Sequence, residues 1–303
     1  MKDPKHRRGD RKDAYRVRDV DPMHAIFPYV MPNRTDNEAV MNIIVDLTEV
    51  NKYIAEKNAD SPEFAYTFFH VICAAAAKTI ALRPWMNRFY SGGRLYERKD
   101  ISLSFTAKKR FVDDAPEALA IVKVNRESDV PPIEQVYQRV KKIVYGMRKE
   151  NDNGGMMDLM GTLAKLPSFV LRIIAGTLKW LESHGWYPQD MMDDDPFYTS
   201  VYLANLGSIQ VDANYHHLSN WGTNSFFCVV GEKKKRLIET ENGEELRETV
   251  RLALTIDERI ADGVYYARSV KLFRYIIENP HLLDEPLMTP VNEEIMRLGG
   301  KSK

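Results

Sequence analysis

The sequence predicts a mixed α/β fold in which a mixed β-sheet is flanked by helices. Strand patterns and helix patterns alternate along the 303 residues, and no repeat period is visible. Strand patterns dominate from Tyr198 to Asp257, and no linker rich in proline or glycine divides the chain. The elements are therefore expected to share one core.

The first third of the chain predicts strand, helix and hairpin in turn. Residues 39–48 mix β-branched and apolar residues in the manner of a buried strand, and a helix follows over 50–57. A second helix is expected to start at Ser61, whose side chain can cap it, and to end before Pro84. It is apolar nearly all round, which predicts burial on more than one side. A β-hairpin is expected around Gly92-Gly93.

The middle third predicts two strands and then mostly helix. Residues 101–107 alternate with period two, which predicts a strand with one face in water, and 118–124 form the next strand. Helical spacing follows over 133–147, and 151–155 read as a loop. Residues 156–183 are helical, kinked or split at Pro167, and their apolar side is expected to face the core.

The last third predicts strands closed by one helix. The strand segments are 198–207, 224–232, 236–240 and 246–257. Asn242-Gly243 joins the last two, and this dipeptide strongly favours a hairpin turn. A helix over 264–279 ends at Pro280.

Composition limits the classes of function. The chain has 43 Lys+Arg and 43 Asp+Glu, so its net charge of +0 argues against a dominant nucleic-acid or anionic-membrane surface, although local patches survive this argument. The start is polar and basic, unlike a secretory signal. The longest apolar stretch is interrupted by Pro167, Arg172 and Lys179, too short and too charged to span a bilayer. We expect a cytoplasmic protein without nucleic-acid or membrane partners.

Several common chemical signatures are absent from the sequence. It has no phosphate-binding glycine loop, no Gly-x-Ser-x-Gly turn, no Cys-x-x-Cys and no His-Glu-x-x-His. No metal is therefore expected. Cys73 and Cys228 both lie in apolar runs, which predicts buried free thiols.

The most informative segment is 254–280. It resembles the C-terminal signature of the dihydrolipoyl acyltransferases of 2-oxo acid dehydrogenase complexes, whose fold is that of chloramphenicol acetyltransferase. The family signature is Asp-His-Arg-x-x-Asp-Gly, followed by a helix with Ala-Arg that ends near proline. The corresponding residues are Asp257, Glu258, Arg259, Asp262, Gly263, Ala267, Arg268 and Pro280.

Two weaker blocks occur in the family's order. Residues 201–207 resemble the strand that ends in Ser-x-Leu-Gly, and 83–87 resemble the Pro-x-x-Asn that follows the long helix. The resemblance covers roughly 39–280, and 156–195 fits least well. It implies a chloramphenicol acetyltransferase-like fold, a homotrimer with active sites between subunits, and possible assembly into a larger cage.

The resemblance also implies a division of the chain. Residues 1–35 are expected to form a polar arm, 36–285 the acyltransferase-like domain with a helical insert at about 156–195, and 286–303 a tail. No lipoyl domain is recognisable, so no covalent lipoyl group is expected. Coenzyme A or acyl-coenzyme A is expected as a substrate, and a small-molecule thioester as a partner.

Both chemical positions of the family differ here. The family's His is a general base that deprotonates a thiol, and Glu258 stands in its place. A hydroxyl of the family strand stabilises the oxyanion, and Ala204 stands in its place. Asp262 and Gly263 retain the supporting part of the motif. Proton transfer from a thiol to an ordinary Glu is uphill by about 4 pKa units, roughly 6 kcal/mol, although burial can reduce this gap.

His216 and His217 are the other candidates for a base. They fall in a segment that borders the acyl pocket of the resembled fold, where Asn205 and Ser219 are further polar candidates. In an extended segment, adjacent side chains face opposite sides, so only one imidazole would face the pocket. His217 could act as a relocated base with Glu258 orienting it. Alternatively, the two imidazoles pack at a subunit interface.

Three hypotheses follow from these residues. The first is a coenzyme A-dependent acyltransferase with a changed base. The second is an inactive trimeric scaffold or ligand-binding relative, in which Asp257, Glu258 and Arg259 form only a structural ion-pair cluster. The third is a larger cage built from such trimers.

Overall fold

A six-stranded mixed sheet forms the centre of the protein. The computed structural model describes residues 6–108, 117–149, 160–240 and 243–297. The spatial order of the strands is β2 (Glu38–Asp46), β9 (Gly243–Asp257), β8 (Phe226–Thr240), β7 (Val201–Asn205), β5 (Ile101–Lys108) and β6 (Glu117–Val124). The pairs β5–β7 and β7–β8 are parallel, and the other pairs are antiparallel. The predicted mixed sheet is confirmed.

A second, three-stranded sheet stands apart from the first. Its spatial order is β1 (Ala14–Arg16), β4 (Arg94–Arg98) and β3 (Arg88–Ser91). The hairpin predicted at Gly92-Gly93 joins β3 to β4, and both glycines have positive φ. A Cβ at Gly92 would lie 2.3 Å from the carbonyl oxygen of Ser183, so this turn also requires glycine for close packing.

The helices with more than five residues number seven in the described ranges. They are α1 (Pro22–Val30), α2 (Thr48–Lys57), α3 (Phe68–Leu82), α4 (Pro132–Lys149), α5 (Ser168–Ser183), α6 (Gln189–Asp194) and α7 (Gly263–Glu278). Side chains of α2, α3, α4 and α7 form the main core with one face of the six-stranded sheet. The opposite face of this sheet carries the candidate site described below.

Helix α3 lies at the centre of the core. All residues from His70 to Ala81 are buried, which confirms the expected burial on several sides. The predicted start at Ser61 is wrong. Ser61 has a positive φ of 50°, and the helix starts at Phe68, preceded by Thr67, which forms a reciprocal capping pair with His70. The Asn58 amide holds the intervening chain by bonding both backbone groups of Tyr66.

Strand β5 is buried on both faces from Ile101 to Phe105. Ser102 and Ser104, expected on its wet side, are both buried. The turn that precedes β7 covers them, since the Ser104 hydroxyl bonds the carbonyl of Pro196 at 2.9 Å and the Thr199 hydroxyl at 2.7 Å. The alternating side chains of β5 therefore face two buried environments. One is apolar, and in the other the serine hydroxyls form hydrogen bonds.

Both terminal segments contact the rest of the chain. Ala14 is buried against Phe89 and Tyr96, and Leu287 and Val291 are buried in the main core. The division into arm, domain and tail stays a prediction. The sequence positions 151–155, 156–159 and 242 lie outside the described residues.

Two further expectations concern the cysteines and membrane-spanning helices. Cys73 and Cys228 are buried free thiols, as predicted, and burial raises the pKa of Cys228 to about 12. None of the helices in the described ranges combines the length and apolar character that crossing a bilayer requires.

We predict that His70 makes the fold sensitive to mild acid. Burial lowers the pKa of His70 to about 4 from 6.5, so the unfolded chain takes up this proton first as the pH falls. The free energy of unfolding should therefore fall by roughly 3 kcal/mol more in the wild type than in His70→Gln between pH 7 and pH 4. Denaturant titrations across this pH range measure the difference. Parallel pH profiles for the two proteins would contradict the role of His70.

Candidate functional site

The motif segment lies where β2 begins and β9 ends. The register places Glu38 opposite Asp257, and a single 3₁₀ turn, Glu258–Ile260, connects β9 to α7. The backbone N–H of Glu258 donates to the carbonyl of Asn37 at 2.9 Å. The chain at Glu258 is thus fixed by the first residues of β2.

Asp257 and Arg259 form a buried ion pair at this end of the sheet. The guanidinium binds both carboxylate oxygens, at 2.8 Å from Nε and 2.7 Å from Nη2. Its remaining nitrogen, Nη1, donates to the carbonyls of Met31 and Pro32 at 2.8 and 3.1 Å. The pair therefore attaches the end of α1 to the motif.

Arg34 extends this pair into a cluster. Its Nε lies 3.7 Å from Asp257 Oδ2, and its other nitrogens donate to the carbonyls of Ser219 and Gly222. Burial lowers the pKa of Arg34, and the Asp257 carboxylate opposes this effect. The cluster holds three segments together at the motif: the end of α1, the turn after β9, and the loop before β8.

The Glu258 side chain takes no part in this cluster. It is exposed, and its carboxylate forms no hydrogen bond or ion pair with any residue that the structure describes. Asp262 instead caps α7, because its carboxylate accepts the N–H of Tyr265 at 2.7 Å. A methyl group on Gly263 would meet nothing within 4 Å in this chain, so packing within one subunit does not require glycine there.

His216 and His217 lie close to the motif, on the face of the six-stranded sheet that is opposite the main core. We call this face the open face. The His216 ring stacks on Phe227 of β8 at 4.3 Å between centroids, and Phe227 stacks on Tyr202 of β7 at 5.0 Å. The His216 and His217 rings are 4.8 Å apart, so they lie together. Opposite orientations are expected only for an extended strand, and this segment is irregular.

The hydrogen bonds of these histidines indicate which ring nitrogen is basic. His216 Nδ1 lies 2.9 Å from the carbonyl of His217, and His217 Nδ1 lies 3.0 Å from the carbonyl of Leu218. A carbonyl can only accept, so Nδ1 carries the proton in both neutral rings. Each Nε2 is left with the free lone pair, and both side chains are exposed.

Leu218 connects the histidines to the motif. Its N–H donates to the Glu38 carboxylate, and its side chain is buried in an apolar cluster with Phe227, Val229 and the half-buried Ala204. Because Glu38 follows Asn37, which binds Glu258, the histidine loop and Glu258 share one anchor. Glu38 is not recognisable as a site residue in the sequence, because its position beside the motif follows only from the register of β2 and β9.

Comparisons with known proteins give the fold. A protein described as a probable dihydrolipoamide acetyltransferase from Listeria monocytogenes aligns with 88% of this chain and 95% of its own, at 14% identity and a TM-score of 0.55. The cubic core of the pyruvate dehydrogenase multienzyme complex aligns with 88% and 94%, at 12% identity and 0.55. Chloramphenicol acetyltransferase aligns with 88% and 98%, at 12% identity and 0.53.

The chain has the chloramphenicol acetyltransferase-like fold. This confirms the fold that the motif resemblance implied. Neither a protein-family model nor the sequence of a curated protein matches the chain. The similarity therefore lies in the architecture. At such low identity, only this chain's own residues indicate its chemistry.

Within the acyltransferase-like fold, the remaining candidates lie on the strand and loop around Ala204. Ala204 pairs with Val229 on the open face of the sheet and contributes a methyl group to the apolar cluster. Asn205 is exposed at the end of β7. The Ser219 hydroxyl accepts the N–H of Trp221 at 3.0 Å, so this oxygen stabilises its own loop.

A cavity of about 300 Å³ lies next to the ion-pair cluster, and Arg34 is among its lining residues. Pro28 of α1, Lys179 of α5 and Arg259 are among the residues that line it. In the described ranges, no group of three or more His, Cys, Asp or Glu side chains is arranged to hold a metal ion.

We predict that Asp257 is essential for folding and that Asp262 is not. Asp257→Asn leaves the buried Arg259 without its charge partner, so the free energy of unfolding should fall by about 3–5 kcal/mol. Asp262→Ala removes only a helix cap and should cost about 1 kcal/mol. Denaturant titration of both variants measures these values. Equal losses in the two variants would contradict a dominant role for the buried pair.

Proposed function

We propose that this protein transfers an acyl group between a coenzyme A thioester and an acceptor. The convergence of the histidine loop and Glu258 at one end of the sheet carries this proposal, because Asn37 and Glu38 anchor the two segments side by side. Solved structures with this fold include chloramphenicol acetyltransferase and dihydrolipoamide acetyltransferase, which are acyltransferases by name.

His217 is the better general base by energy. As a residue type, an imidazole is closer in basicity to a thiolate than a carboxylate is, so it accepts the proton of a thiol more readily. Its Nε2 has a free lone pair, because Nδ1 donates to a carbonyl. The Leu218 carbonyl, bonded to Nδ1, orients the ring, and the charge of the Glu258 carboxylate would stabilise the imidazolium.

The proposed reaction begins with the transfer of the thiol proton to His217 Nε2. The thiolate attacks the carbonyl carbon of the acyl group and forms a tetrahedral oxyanion. As this intermediate collapses, the bond to the leaving group breaks, and the imidazolium returns its proton to that group. Ala204 supplies no hydroxyl for the oxyanion, and Asn205, the next residue of β7, is exposed and carries an amide that can donate a hydrogen bond.

The exposure of Glu258 is consistent with a site completed by a second subunit. A carboxylate in water keeps its charge fully solvated, and a neighbouring surface would be needed to desolvate it. We therefore propose a homotrimer with sites between subunits. A larger assembly remains part of the proposal, as one similar structure is the cubic core of a multienzyme complex. We further propose that the protein acts in the cytoplasm.

We expect His217→Ala to lower kcat/KM for acyl transfer from acetyl-coenzyme A to a dithiol by about 10²–10⁴-fold, as is typical for the loss of a general base. Glu258→Gln keeps the side-chain shape and removes the charge, and it should lower the rate less. Glu239→Gln on the exposed end of β8 is the matched control and should leave the rate unchanged. A measurable wild-type rate that neither site variant changes would contradict the proposed site.

A second candidate function is an inactive scaffold or ligand-binding protein. The methyl group of Ala204 in an apolar cluster favours it, because the position of the family's hydroxyl is then filled by packing. In the same assay, this candidate predicts no wild-type activity and weak activity in the double variant Glu258→His, Ala204→Ser. Wild-type turnover would exclude it.

A further inference from the structure

Helix α5 exposes an apolar stripe. The sequence predicts that its apolar side faces the core, but none of residues 168–183, all of which the structure describes, is buried. Phe169, Ile173 and Trp180 are 66%, 64% and 53% exposed. The predicted core-facing side is found only in part: the apolar face with Leu171 and Leu178 is half-buried, and Leu178 packs against a buried cluster. The three exposed residues face away from it.

The three exposed side chains of the stripe share one face of the helix. Residues four and seven positions apart lie on the same face of an α-helix, so Phe169, Ile173 and Trp180 align. At its C-terminal end, the Trp180 ring lies 5.5 Å from Trp186, which is 63% exposed, and 4.4 Å from His184. Aromatic rings with a polar edge are enriched at membrane–water interfaces.

The charges next to the stripe are positive. Arg172 and Lys179 are exposed on the helix, and Lys165 is exposed just before it. The one acid of the helix, Glu182, is half-buried and bound to Arg11 at 2.8 Å. An apolar face bordered by free cations is complementary to a layer of anionic lipid headgroups.

We propose that the α5 stripe, formed by Phe169, Ile173 and Trp180, binds the surface of a membrane that contains anionic lipids. The helix would lie in the plane of the interface. Its 16 residues extend about 24 Å, less than the roughly 30 Å of a bilayer core, so it does not span. The net charge of zero argues against a dominant anionic-membrane surface but leaves this local patch possible, and the expectation of no membrane partner is thereby revised.

Charge favours a lipid surface over a second copy of the chain. Pairing of two α5 stripes by a two-fold axis would bring Arg172 and Lys179 of one copy towards the same cations of the other, without a free acid from either helix. Anionic headgroups would neutralise these cations instead.

The stripe lies beside the cavity at the ion-pair cluster. The Gly92-Gly93 turn contacts Ser183 at the end of α5 and Tyr29 of α1, so both helices flank one hairpin. Lys179 lines the same cavity as Arg259 of the motif. A protein bound through α5 would therefore hold this cavity close to the lipid surface.

The test is flotation of the full chain with vesicles of phosphatidylcholine, with and without phosphatidylglycerol. We expect the wild type to float with the anionic vesicles only. The triple variant Phe169→Ser, Ile173→Ser, Trp180→Ser should lose binding at least tenfold, and Arg172→Gln, Lys179→Gln should lose it several-fold. The matched control is Leu237→Ser, Leu246→Ser, since these leucines are 64% and 63% exposed on the β8–β9 hairpin, and it should bind as the wild type does.

Three results would overturn the proposal. The first is failure of the wild type to bind anionic vesicles, and the second is unchanged binding by the triple variant. The third is a lipid-free oligomer that light scattering shows to be larger than that of the triple variant, which would assign the stripe to a second copy. Circular dichroism of each variant verifies folding, and none of these readouts depends on acyl transfer.

Discussion

The buried pair of Asp257 and Arg259 is the interaction on which the site depends. It lies at the end of strand β9, and through the guanidinium it holds the chain at Met31 and Pro32. Arg34 adds the loop that follows the histidines. A buried pair is a weak source of net stability, because desolvation offsets the Coulomb attraction. Its role here is one of position: it brings three distant segments to one end of the sheet.

The position of Glu258 follows from that pair. With Asp257 and Arg259 both turned into the protein, the residue between them is directed to solvent. The same end of the sheet presents two imidazoles, supported by the ring stack of Phe227 and Tyr202. A carboxylate and an imidazole with a free Nε2 are a suitable combination for proton transfer, and neither occupies the core of a single chain. This is the physical basis for placing the proposed site at a subunit boundary.

The sequence predicted elements whose patterns are local. The predicted bounds of helix α7 and strand β9 agree with the structure within a few residues, because the apolar runs that form both elements are visible in the sequence. The start of α3 was missed because Thr67 caps it with His70, an unusual partner, while Ser61 offered a more familiar signal. The buried face of β5 was missed because serines that bond to a covering turn look the same in sequence as serines in water.

The site was predictable only in part. The resemblance points to Glu258, Asp262 and the histidines, but Arg34 and Glu38 bind backbone groups that are 185 and 180 positions away in the sequence. No local pattern encodes such contacts, which arise when β2 pairs with β9. The exposed stripe of α5 was misread for a similar reason, because amphipathic spacing shows that a face is apolar and not what covers it.

The central claim is that the chain keeps the thioester site of its fold. Calorimetric titration of the purified wild-type protein with coenzyme A and with acetyl-coenzyme A tests it most directly, because binding is measured without knowledge of the acceptor. The account predicts saturable binding at micromolar concentration, a free energy of about −8 kcal/mol. The absence of heat with either ligand, on protein shown to be folded and oligomeric, would contradict it.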